Sequence, residues 1–217
     1  MIKRVIKLIT TYKYLVALLS VFNFLLTPVY ISIFNSYAAE VVVINYTLVI
    51  LSSSLIAANS KTKIRSYLLG LITLTFIWLE FSQPNSKLIE IIRLVSSFLM
   101  FSYFCYLLLS QLKSMGGISL QFIIGPILGF VYLGVIGGIL SESLYLMNPK
   151  SFDFKSAISG YVFYYFSFIS ITTVGYGDIT PATPPAQAIT LLMNIIGQFY
   201  LAIVIAVFVG KYNNVKS

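Results

Sequence analysis

The stretch "FISITTVGYGDITP", Phe168 to Pro181, decides how the rest of this chain is read. Two glycines flank a tyrosine, behind two threonines and a valine and ahead of an aspartate. The chain has 13 glycines, and no second copy of this pattern. A strip in which glycine alternates with larger residues does different chemistry in water and in lipid, so its surroundings come first.

Of the 217 residues, 59% are hydrophobic and only 9% are charged. A soluble domain carries about 25% charged residues. So few charges cannot cover a water-exposed surface, and the fold class expected is an all-α integral membrane protein. There is no histidine and a single cysteine, Cys105, in an apolar run. A disulfide within the chain is excluded, and a metal site of the usual His/Cys kind is not expected. No nucleophile–base pair and no phosphate-binding loop is visible, so an enzyme is not expected, nor any cofactor.

Six apolar segments can span: Tyr14–Phe34, Val41–Ala58, Tyr67–Phe81, Leu88–Leu109, Leu120–Met147 and Ala186–Gly210. A span takes about 20 apolar residues, with a range of about 17–25. The third segment is short, and the fifth is long enough to tilt or project. A further apolar piece, Ala157–Ile171, is too short to cross together with the glycine-rich turn behind it. It is expected to be re-entrant. The start of the chain imitates a signal peptide, but its apolar run is longer than a usual h-region, so an uncleaved first helix is expected. Only seven residues follow Gly210, which leaves no room for a sizeable soluble domain there.

The net charge of +8 is explained by where the bases lie. Lys3, Arg4, Lys7 and Lys13 precede the first span, and Lys61, Lys63 and Arg65 lie between the second and third. Lys113 lies between the fourth and fifth, and Lys211 and Lys216 follow the sixth. With the N-terminus inside, all of these fall on the cytoplasmic side, as the positive-inside rule requires. Both termini are then cytoplasmic. The six acidic residues map to outer ends and outer loops. Topology accounts for the charge, and no nucleic-acid partner is called for.

An ion entering a membrane must exchange its water shell for other oxygens, and rings of backbone carbonyls can supply them. In an ordinary strand successive carbonyls alternate in direction. Turning them all to one axis requires left-handed dihedrals, which glycine adopts cheaply. Gly175 and Gly177, alternating with Val174 and Tyr176, meet that requirement. The Thr173 hydroxyl can add an oxygen at the inner end. One chain supplies one strip, so a ring needs several chains.

On these residues "TTVGYGD" resembles the selectivity-filter signature of the potassium channel family. The resemblance extends over about Glu142 to Lys211: an outer helix, a short pore helix, the filter, a "TP" exit and an inner helix. It implies that Thr173, Val174, Gly175, Tyr176 and Gly177 form the filter. The carbonyls of Thr173 to Tyr176, with the Thr173 hydroxyl, would bind dehydrated K+. It implies filter support from Thr172, Asp178, Tyr165 and Phe166, and a pore helix over about Ser156 to Thr172, its negative end toward a cavity. It also implies a homotetramer in the lipid bilayer of the cell membrane, and Gly197 as the hinge of the inner helix. Two domains are implied: residues 1–118, four helices with the position of a voltage sensor, and residues 119–217, the pore.

The chain departs from the family's pattern in two places. Where the family usually has a tryptophan pair in the pore helix, this chain has Tyr165 and Phe166. Tyr165 can still donate a hydrogen bond to Asp178, whereas Phe166 has none to give. The fourth span lacks the arginine repeat of a voltage sensor. Arg93 alone is embedded, and it is expected to snorkel or to pair with Glu90. Strong voltage gating is therefore not expected. Two readings of other kinds stay open: a potassium-transporter subunit, which would usually repeat its pore loop, and a regulatory subunit that does not conduct by itself. Gln198 is expected either to face the cavity or to bond between helices, and Pro28 and Gly125-Pro126 to mark kinks.

Overall fold

The computed structural model describes residues 11–57, 63–114, 119–155 and 161–216. Among these, five helices are long and apolar enough to cross a membrane, and a bent pair makes a sixth if it counts as one span. The chain divides into two compact units, Met1–Gly129 and Phe130–Ser217. The boundary expected after residue 118 falls at residues 115–118, which lie outside the described residues.

The first unit opens with the bent pair, α1 (Lys13–Leu25) and α2 (Thr27–Ile33), whose axes differ by 47°. Pro28 occupies the first turn of α2. A proline has no N–H to give, and the first turn is where none is missed. The break therefore falls just before the proline. Next come α3 (Ala38–Ser54) with a 3₁₀ turn at Leu55–Ala57, α4 (Lys63–Ser82) and α5 (Lys87–Ser114). Tyr14, Ala17, Val21 and Phe24 form the buried stripe of α1 at helical spacing. Phe24 meets Tyr46 of α3 edge-on at 5.2 Å, and Tyr46 meets Phe101 of α5 at 6.3 Å.

A seam of polar side chains runs along the same interface. Asn23 Nδ2 donates to Asn45 Oδ1 (2.8 Å), Asn45 Nδ2 to Thr27 Oγ1 (2.9 Å), and Tyr30 Oη to Asn23 Oδ1 (2.9 Å). Interhelical bonds of this kind average about 0.6 kcal/mol in a membrane. They add little stability singly. Together they fix the register of α1 against α3, since any slip would strand amides in an apolar setting.

Two charged residues have partners within the fold. Lys13, one of the bases assigned to the cytoplasmic side, is folded inward and buried. Its ammonium donates to the Ile56 carbonyl (2.9 Å) and to Gln111 Oε1 (2.7 Å), while Gln111 Nε2 donates to the same carbonyl (3.0 Å). The 3₁₀ turn exposes that carbonyl, and α5 brings the amide. Arg93 pairs with Glu80 of α4, the preceding helix, rather than with Glu90. The short turn between α4 and α5 folds Glu80 back beside Arg93.

The next helix, α6 (Leu120–Met147), begins in the first unit, continues unbroken through Pro126 and runs on into the second. Its glycines at 134, 137 and 138 present one face, where the backbone of α6 is approached closely. Ser167 Oγ donates to the Gly134 carbonyl (2.7 Å), and a Cβ at Gly138 would lie 3.0 Å from Tyr164 Cα. Past α6 the chain forms β1 (Phe152–Phe154), then α7 (Val162–Ile171), β2 (Ile179–Pro181) and α8 (Pro184–Lys216). The pore helix expected from Ser156 is described from Val162, residues 156–160 lying outside the described set. Among the described residues the fold is all-α apart from one small ladder. β1 and β2 pair antiparallel, with Phe152 opposite Pro181, Asp153 opposite Thr180 and Phe154 opposite Ile179.

Candidate functional site

The signature strip leaves the C-terminal end of α7. Three residues in it have positive φ: Thr173 (63°), Gly175 (52°) and Gly177 (71°). They alternate with Val174 and Tyr176, so every second residue is left-handed. Such alternation is what a strip needs if its successive carbonyls are to face one side. The two glycines are as the sequence requires. Thr173 is not, since a β-branched residue is costly there. It is the one strained member of the strip, and composition gives no sign of it.

The strip's amides point back to the helix. Thr173 N–H donates to the Ser170 carbonyl (3.0 Å), and Val174 and Gly175 N–H both donate to that of Ile169 (3.0 Å). Thr172 N–H and its hydroxyl both donate to the Phe168 carbonyl (3.1 and 2.6 Å). Gln198 Nε2 of α8 donates to the last carbonyl, that of Ile171 (3.2 Å). All four carbonyls that end a helix without an internal partner are thereby met. Gln198 is thus a cap on α7, a role its place in an apolar helix does not reveal. By contrast, among the described residues the carbonyls of Thr173, Val174, Gly175 and Tyr176 accept no hydrogen bond.

The outer end is held by other groups. Tyr165 Oη donates to Asp178 Oδ2 (2.8 Å), which raises the tyrosine's pKa above its ordinary value because ionisation would lose the bond and set two anions together. Lys155 N–H donates to the Asp178 carbonyl (3.1 Å). Phe166 is buried, its ring 5.2 Å from that of Phe152 and edge-on to it. Gly197 is buried against α7, where a Cβ would stand 3.3 Å from Ile171 Cβ, and α8 passes through it without a break.

Residues 127–213 match a family model described as an ion channel. Two curated proteins are similar over 93 residues at 31% identity: potassium voltage-gated channel subfamily A member 10 of Mus musculus and its counterpart in Homo sapiens. That stretch is 42% of this chain and 17% of each relative, so the chain spans under a fifth of the length of the curated relatives it matches. No solved structure matches. Residues 127–213 are thus similar to an ion-channel family, in a chain that carries several helices long and apolar enough to cross a membrane.

Proposed function

We propose that this chain is a subunit of a potassium-selective channel, passing K+ down its gradient through a ring of carbonyls from Thr173 to Tyr176. The observation that carries the reading is the alternating left-handed backbone at 173, 175 and 177, with the amides tied to α7. One chain gives one strip, so the pore is a ring of four copies around a shared axis. Leu192, Ile195, Phe199 and Ile203 of α8 are exposed in the single chain, apolar surface that neighbouring copies and lipid would cover. The termini are cytoplasmic by the charge rule. Gly197 is the point where α8 would bend to gate, since a glycine loosens a helix by about 1 kcal/mol. The purified chain alone in a planar bilayer is expected to give unitary K+ current steps. Smooth saturable flux would favour a transporter subunit. Current only when a second channel protein is present would favour a regulatory one.

The first unit is a domain that does not sense voltage strongly. Each charge carried across the field is worth about 2.3 kcal/mol per 100 mV. Arg93 is paired with Glu80, and a voltage sensor uses about 3–4 charges in each subunit. Open probability is expected to vary shallowly with voltage, and Arg93→Gln to leave that slope unchanged. A steep curve that this substitution flattens would show α5 to be a moving sensor.

A further inference from the structure

The filter strip is held at both ends by α7, through Ile169 at the inner end and the Tyr165 hydroxyl at the outer, and the outer end has a second, backbone support. At the inner end, the amides of Val174 and Gly175 bond to Ile169 of α7. At the outer end, the Asp178 carbonyl accepts from Lys155 N–H, β2 pairs with β1, and Ala182 N–H donates to the Ser151 carbonyl (2.9 Å). The backbone that fixes the outer end therefore belongs to the segment before α7. A three-residue ladder is too short to hold itself in place, so something must anchor β1.

Phe152 is that anchor. It is buried in a cluster with Phe163 and Phe166 of α7, Ile179 of β2 and Ala186 in the first turn of α8. Its ring is edge-on to Phe166 at 5.2 Å and to Phe163 at 5.8 Å. One side chain thus joins the strand that carries the outer end to both helices that flank the filter. We propose that Phe152 is a positioning residue for the outer half of the filter, acting through the β1–β2 ladder, with Phe166 as its seat on α7. This rests on the channel reading above, but its structural half can be tested separately.

The test compares Phe152→Leu, which keeps apolar bulk and loses the ring, with Phe104→Leu, a buried phenylalanine of the first unit. In bilayers, Phe152→Leu is expected to speed current decay at low external K+ by about fivefold, the effect of losing roughly 1 kcal/mol. High external K+, by occupying the filter, should restore the parent's decay. Phe104→Leu should leave both unchanged. Hydrogen exchange on the solubilised protein supplies the measurement that needs no current. The amides of Lys155 and Ala182 should exchange faster in Phe152→Leu, while those of Val174 and Gly175 keep their protection. Exchange that stays as in the parent, or that rises equally at both ends, overturns the proposal. The expected exchange difference between Phe152→Leu and the parent, in a protein whose parent passes no current, would uphold the anchoring role of Phe152 and reject the channel reading instead.

Discussion

Gly175→Ala is expected to abolish K+ conduction in a protein that still folds and inserts. A Cβ at Gly175 would meet nothing within 4 Å, so no collision opposes the substitution. The cost lies in the backbone, whose φ of 52° disfavours an L-residue by about 1–2 kcal/mol. That penalty recurs in every strip of the ring. Thr173 shows that the chain can hold one L-residue in this region. A second strained position just beyond it would let the peptide plane rotate and take a carbonyl off the axis. Coordinating groups must be held to within about 0.5 Å to work. Unitary current from Gly175→Ala, beside the unfolding midpoint of the same sample, checks this. Unaltered K+ current in the alanine variant would remove the dihedral argument and with it the role given to Gly175.

Gly138→Ala acts on the fold rather than on the filter, and its effect should be large. The added methyl would lie 2.5 Å from Tyr164 Cδ1 and 3.0 Å from Tyr164 Cα, and a backbone atom cannot rotate aside. Overpacking of this kind costs about 1–3 kcal/mol. For a chain of this size each kcal/mol lowers the midpoint by roughly 2–4 °C. Gly137→Ala should be milder, since its methyl would meet no backbone atom, only the far end of Met193, which can turn away, and the Ser167 hydroxyl, which would give up its bond to the Gly134 carbonyl. Thermal unfolding in detergent should rank the two variants in that order. A Gly138→Ala protein as stable as the parent would mean that α6 and α7 are not packed this closely.

The spans were legible because apolar length alone forces a helix in lipid, where every backbone group needs an internal partner. The strip was legible because glycine at alternate positions has few other uses. What escaped depends on pairings between distant segments. "FDF" and "ITP" are each too short to announce a strand, and only their meeting makes β1 and β2. Nothing local marks Asn23 and Asn45 as partners, although two amides in facing spans were a signal that could have been weighed. The glycines at 134, 137 and 138 follow the small-residue spacing of closely packed helices, and that pattern was there to be read. For Arg93 the sequence offers snorkelling or Glu90, one turn away on its own helix, whereas the turn between α4 and α5 brings Glu80. Thr173 could not have been found by propensity at all, because its conformation is imposed by the residues that hold it.

The central claim is that the strip from Thr173 to Tyr176 replaces the hydration shell of K+ and not that of Na+. The most direct test is the reversal potential of the purified chain in a planar bilayer with equal K+ and Na+ on opposite sides. The account predicts a potential displaced far toward the K+ equilibrium value, changing sign when the two solutions are exchanged. A reversal near zero in both orientations would contradict it.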